Sequence, residues 1–308
     1  MLLSRRSLLQ TVVGSVAGLS LGLVSRSLVA QAPAGAVDLG GGFRVLTAGK
    51  TNVLAVTGPE GTALVDGGSA ADSPALLRQV AALPNAGKIH TLFNTHWHPE
   101  QVGSNEALAK AGAAIVAHEN TRLWLTEDVT WPWNDQTVKA LPKAAQPTKT
   151  FRAEEELTVG GMKVRCGHLR DCPHTDGDIY VLFPEANVLA IGDAVYGKGA
   201  GWPDVDWWTG GWIGGIVGAI DMLFTVSNAE TRIVPARGPV MTQADLKAAY
   251  QMYGAVWERL VKTLYAGGGP KEALAAAPTK EFNDIMGSSD EFVRRAFESL
   301  WAYLSPDA

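Results

Sequence analysis

Apolar and polar positions follow a strand-like pattern through the first half of the chain and shift to helical spacing in the second. Residues 53–57 and 62–65 are short β-branched runs flanking Pro59-Glu60-Gly61, the pattern of a hairpin closed by a turn. Leu76, Leu77, Val80 and Leu83 fall on one helical face, introduced by Ser73-Pro74. Residues 89–93 read as the next strand, 105–111 as a short helix and 114–117 as a strand after it. Strand, helix and strand at this spacing imply a mixed α/β sheet. Residues 125–148 are irregular and read as a long loop. β patterning resumes at 157–159 and 162–166 around Gly160-Gly161, and again at 179–183 and 188–191. Helical spacing then dominates: 213–224, a stripe from Leu246 to Leu264 behind a Thr242/Asp245 capping box, and 289–304 with Trp301 on its inner face. Strands early and helices late suit helices covering the outer faces of two packed sheets. No linker or repeat interrupts residues 37–308, which read as one domain.

The first 36 residues stand apart. Ser4-Arg5-Arg6-Ser7-Leu8-Leu9 precedes a charge-free stretch to Ser25 and then an alanine-rich run. A basic start, an apolar middle and small residues at the end describe an export signal. The adjacent arginines resemble the twin-arginine type, which gives a periplasmic or secreted location and no membrane span after cleavage. An uncleaved anchor is the alternative, since the stretch nearly reaches spanning length. Ala30-Gln31-Ala32 and Ala34-Gly35-Ala36 are both candidate cleavage sites.

Composition adds two constraints. The whole chain of 308 residues has a net charge of −5, and removing residues 1–36 takes three arginines and no acid, giving −8. Such a protein is no obvious partner for nucleic acid or an anionic membrane. The two cysteines, Cys166 and Cys172, could pair in an oxidising compartment and staple the loop before His174; two free thiols are the alternative.

The candidate chemistry starts at Asn94-Thr95-His96-Trp97-His98-Pro99-Glu100-Gln101, which follows the strand at 89–93. Side chains at i and i+2 of an extended segment point to one side, so His96 and His98 can aim at a single point. Imidazole pairs suit zinc and its neighbours but need a third ligand. Asp66, His174, Asp193 and Arg237 all lie beside predicted strands. Together His96, His98 and His174 make the three-ligand set of a catalytic zinc, with a fourth position left for water.

These residues resemble the metallo-β-lactamase superfamily, in particular its exported single-domain hydrolases. The matching stretches are Val65-Asp66-Gly67-Gly68, Thr95 to Gln101, His174 to Asp178, Gly192-Asp193 and Pro235-Ala236-Arg237-Gly238-Pro239. The resemblance implies a four-layer αββα sandwich, two mixed sheets flanked by helices, with the metal site at one sheet edge. It also implies that His96, His98 and His174 form the first metal position and that Asp193 belongs to the second. The other second-position residues of the family are replaced here by Glu100, Gln101 and Arg237. Gln101 offers only a weak carbonyl ligand, and Arg237 offers no lone pair.

Two carboxylates about 4 Å apart repel by roughly 4 kcal/mol at an effective dielectric near 20. Glu100 and Asp193 would therefore need a cation nearby, or one of them must stay protonated, and Arg237, able to bridge carboxylates, can supply the cation in place of the second metal. The expected activity is hydrolysis of an amide, ester or lactone-like carbonyl by metal-activated water. Glu100 would handle the proton, and Arg237 would meet a substrate or transition-state anion. One zinc ion is expected rather than two. A binding protein without activity is one alternative; an iron oxidoreductase is another, since two histidines and a carboxylate also hold non-haem iron. His90, His118 and His168 read as structural. Trp131, Trp133, Trp202, Trp207, Trp208 and Trp212 lie in glycine- or proline-rich loops, where they either wall a small-molecule site for an apolar or aromatic group or simply pack the loops.

Overall fold

The computed structural model describes residues 35–304. The export segment expected at 1–36 lies almost wholly outside them. Among the described residues, no helix is long and apolar enough to cross a membrane.

Two mixed sheets face one another. The first runs through β1 (Val37–Gly40), β2 (Phe43–Ala48), β3 (Thr51–Gly58), β4 (Gly61–Val65), β5 (Ile89–Phe93) and β6 (Ala114–His118). A two-stranded hairpin, β7 (Val129–Thr130) and β8 (Thr137–Val138), follows, and β9 (Lys149–Phe151) completes the first sheet beside β6. The second sheet contains β10 (Glu154–Val159), β11 (Met162–His168), β12 (Ile179–Phe183), β13 (Val188–Gly192) and β14 (Arg232–Pro235). Each begins as an antiparallel meander and turns parallel where a helix supplies the crossover: β4 to β5, β5 to β6 and β13 to β14.

The period of two explains the layering. Leu54 and Val56 of β3, Val65 of β4 and Phe93 of β5 point into the core between the sheets. Val53, Ala55, Leu64 and Leu92 point outward and pack with Leu76, Val80 and Leu108 of the helices Ser73–Ala81 and Asn105–Lys110. In the second sheet Ile179, Val181, Val188 and Ala190 face inward, and Tyr180, Leu182, Leu189 and Ile191 face the other way. Their outer partners are the helices Ile213–Val226, Gln243–Tyr265 and Asp290–Leu304. Strands buried on both faces read as continuous apolar runs, as 53–56 and 179–183 do. This is the expected αββα sandwich.

Several expectations need correction. Cys166 and Cys172 are free thiols. Cys166 points into the inter-sheet core, whereas Cys172 sits on the following loop at φ 54° and its Sγ contacts the carbonyl of Arg170. Trp301 is 39 % exposed and packs edge-on against Phe297. Residues 125–148 carry the β7–β8 hairpin and a 3-10 turn at Lys143–Ala145. The strands β1 and β2 were not anticipated. The Thr242/Asp245 capping box is present, with both of its reciprocal bonds, at 2.7 and 3.3 Å.

Candidate metal centre

The site lies where the parallel strands of both sheets end. Past Phe93, Asp66 at the end of β4 accepts the Thr95 amide and hydroxyl, both at 2.8 Å. Asp66 holds φ 63°, a backbone state that a short polar side chain tolerates. This fixes the turn from which His96 departs. His98 is the extended residue before the short helix Pro99–Val102, with Pro99 at its first position. His174 sits in a loop organised by Asp178, which accepts the amides of His174 and Thr175 and the Thr175 hydroxyl. Gly192 brings β13 against Thr95. It has φ 55°, and a Cβ there would lie 2.6 Å from the Thr95 hydroxyl, so only glycine fits.

The three imidazoles are buried and mutually edge-on, with ring centroids 4.6–4.9 Å apart. Their ligand nitrogens lie within 4.8 Å of one another. The outer nitrogens define the tautomers. His174 Nδ1 lies 2.7 Å from the Asp204 carbonyl, which can only accept, so Nδ1 carries the proton. His98 Nε2 lies 2.8 Å from the Asp206 carboxylate and donates to it. The inner pair, His174 Nε2 and His98 Nδ1, face each other 2.9 Å apart and share one proton, donated by His98 and accepted by His174. His96 uses Nδ1 on the Thr95 hydroxyl, and its Nε2 is buried without a partner.

With that proton displaced, three convergent imidazole nitrogens in a buried pocket suit a soft or borderline cation, and the set fits zinc. Burial and the two neighbouring histidines hold His96 well below the ordinary histidine range, so it stays neutral. Burial works against a charge on His98 too, but the Asp206 bond and charge prevail and raise it to about 9.

Asp206 was missed in the sequence. It accepts from His98, from the Trp131 indole at 3.1 Å, and from the Thr209 hydroxyl at 2.7 Å and amide at 3.1 Å. Its one legible signal was an Asp three residues before Thr209, the mark of a capped turn.

The expected second-position residues are close by but arranged differently. Asp193 Oδ2 is 3.8 Å from His174 Nε2, outside the three-histidine group. Both its oxygens are occupied, by Gln101 Nε2 at 3.0 Å and the Tyr196 hydroxyl at 2.9 Å. Burial pushes the Asp193 carboxyl above the ordinary range and Glu100 adds to this, against His174, Arg237 and Tyr196. Arg237 does not span two carboxylates. Its Nη2 reaches Glu100 Oε1 at 3.4 Å, its guanidinium carbon lies 5.3 Å from the Tyr196 ring centre, and its Nε is buried without a partner. Asn52 anchors the Arg237 loop by donating to the carbonyls of Pro235 and Gly238. Burial acts to raise Glu100, but His98, His174 and Arg237 outweigh it, and the carboxyl is held below its ordinary value.

The tryptophans divide. Trp97 is fully buried, packs edge-on against His98, and donates to Thr209. Trp131 stands edge-on to His98 and stacks on Trp133, which carries Arg295 3.5 Å over its ring. Trp207 continues this ladder and donates to Glu298. Trp202 and Trp212 pack on the helical core, and Trp208 is half exposed.

Fold and site together define an αββα protein with a buried three-histidine centre at the sheet edge. Residues 46–267 match the family profile described as the metallo-beta-lactamase superfamily, and the chain belongs to that superfamily. A hydroxyacylglutathione hydrolase of Brucella anthropi is 29 % identical over 132 residues, 42 % of this chain and 43 % of that enzyme. The match therefore spans less than half of that relative. Among solved structures, a metallo-beta-lactamase from Pontibacter korlensis superposes with a TM-score of 0.57 at 20 % identity, covering 71 % of this chain and 98 % of that one. The stereoselective inverting sec-alkylsulfatase Pisa1 from Pseudomonas sp. gives 0.63 at 14 % identity, over 89 % of this chain and 51 % of that one. At these identities the structures speak to fold.

Proposed function

We propose that the protein is a metal-dependent hydrolase of a small-molecule ester, thioester, amide or lactone, using one ion held by His96, His98 and His174. The carrying observation is the convergence of three imidazoles with their outer nitrogens engaged and the buried His96 Nε2 left free. A zinc ion there would supply Lewis acidity and a water acidified toward neutrality. The name of the Brucella relative adds thioesters to the first substrates to try.

The remaining roles belong to the chain's own side chains. Glu100, kept ionised, has Oε1 on Arg237, which leaves Oε2 to take a proton from the attacking water and deliver it to the leaving group. Arg237 has a free Nε and a partly exposed head, and it meets a substrate carboxylate or the developing oxyanion. Gln101 and Tyr196 satisfy Asp193, so this corner is held by hydrogen bonds and a fixed guanidinium where the family places a second ion. Under the same reading the enzyme acts in the periplasm or outside the cell, after the export expected from residues 1–36.

The test is turnover on ester, thioester, lactone and lactam panels by the wild type, His98→Ala and Arg237→Ala. His98→Ala is expected to abolish activity, and Arg237→Ala to lower kcat by about a hundredfold, the usual loss on removing one oxyanion donor. Turnover that survives the loss of His98 would sink the proposal.

A further inference from the structure

Next to Tyr196, the neighbour of Asp193, lies a cavity of about 360 Å³ between the loop after β13 and the helices Gln243–Tyr265 and Asn283–Met286. Its wall includes Met241, Met252, Met286, Phe282 and Ile285. The whole chain has six methionines, and three of them line this one space. Methionine side chains are unbranched and adaptable, and they gather where a flexible apolar ligand must be accommodated. Ile285 is 45 % exposed and borders the cavity. Two charges also border the space. The Asp245 carboxylate is engaged by the Thr242 cap, which leaves the exposed Lys198 as the charge that meets a ligand.

Tyr196 connects this cavity to the chemistry. Its side chain forms part of the wall, its hydroxyl bonds Asp193 at 2.9 Å, and Arg237 sits against its ring. The Gly197 amide donates to the Arg237 carbonyl, so the segment leading to Lys198 runs beside the Arg237 loop. One aromatic ring therefore separates the apolar cavity from the carboxylate and guanidinium cluster. At about 30 Å³ per non-hydrogen atom, the liquid share of one water, the space takes about twelve.

We propose that this methionine-lined cavity holds the alkyl tail of a medium-chain acyl substrate, with its carbonyl end passing Tyr196 towards Arg237 and the three histidines. As an acyl subsite it rests on the hydrolase reading above; as an alkyl-binding site it stands apart from it. The apolar specificity expected of the loop tryptophans thus moves to a different wall. Trp131, Trp133 and Trp207 are tied to Asp206, Arg295 and Glu298, whereas Met241, Met252 and Met286 line the cavity.

The test uses the full metal-loaded protein with 13C-methyl methionine and carboxylates from acetate to decanoate as probes. Decanoate is expected to shift the methyl signals of Met241, Met252 and Met286 and to leave Met162 and Met222 in place. Affinity should rise about fourfold per added methylene until the cavity is full. Ala248→Trp, a change at an exposed lining position, should weaken decanoate binding about tenfold or more, the equivalent of roughly two buried methylenes, with metal content retained. Absent or uniform methyl shifts, or unchanged decanoate affinity in Ala248→Trp, would overturn the inference. Decanoate binding without turnover of any acyl ester, thioester, amide or lactone would support the cavity and overturn the hydrolase reading.

Discussion

At His98 the ring is gripped from outside by Asp206, and its Nδ1 is thereby turned to His174 Nε2. A histidine ligand gains both orientation and basicity from such a carboxylate. Asp206→Ala would leave His98 Nε2 and the Trp131 indole without their acceptor. Metal affinity should fall about 10- to 100-fold, as for other outer partners of ligating histidines. Competition with a chromogenic chelator measures this, and unchanged affinity would show that Asp206 is only a turn cap.

The histidines themselves were legible, because a two-residue spacing after a strand is local and the remaining motifs follow in order. Asp206 and Tyr196 were not. Their importance comes from loops that fold back across 108 positions to His98 and from a hydroxyl that meets Asp193 three residues away. Arg237 reaches Glu100 but not Asp193, because Gln101 and Tyr196 already occupy both Asp193 oxygens, and those contacts cannot be read from the three charges alone.

Among the elements, the strands were easiest to find where both faces are buried, as in β3, β12 and β13. β1 has three of its four residues exposed, and the short β7, β8 and β9 give no periodic signal. One pairing between elements has a thermodynamic consequence. His118 at the end of β6 and His168 at the end of β11 stack with centroids 3.9 Å apart. His118 lies between the Arg152 carbonyl and the Asn120 amide, and His168 donates to the Asp176 carbonyl in the loop that carries His174.

Burial, then the neighbouring His118, lowers His168 from 6.5 to about 4, and burial also lowers His118. Both are therefore neutral in the fold at pH values where the unfolded chain binds protons. Stability from the pair is complete above pH 6.5 and declines as pH falls towards 4. His168→Gln retains the donor to Asp176 but cannot titrate. Relative to the wild type it should be less destabilised at pH 4.5 than at pH 7.5 in denaturant unfolding. An equal difference at both pH values would contradict this.

For the whole molecule, two sheets turned parallel at one end bring β4, β5, β13 and β14 to a common edge. That edge receives Asp66, the histidine pair, Asp193 and Arg237 from separate parts of the chain. The layering was legible because the alternating strands and late helices allow few other arrangements. The site edge was legible through its ordered motifs. The methionine cavity was not, since Met241, Met252 and Met286 come from three segments that only the packing of the late helices brings together.

Under the proposed function the three-histidine centre holds one ion, with Gln101, Tyr196 and Arg237 closing the corner around Asp193. The most direct test is the number of metal ions per chain in purified, metal-replete protein, by elemental analysis after removal of loosely bound metal. The account predicts one ion in the wild type and almost none in His174→Ala. Two tightly held ions per chain would contradict it.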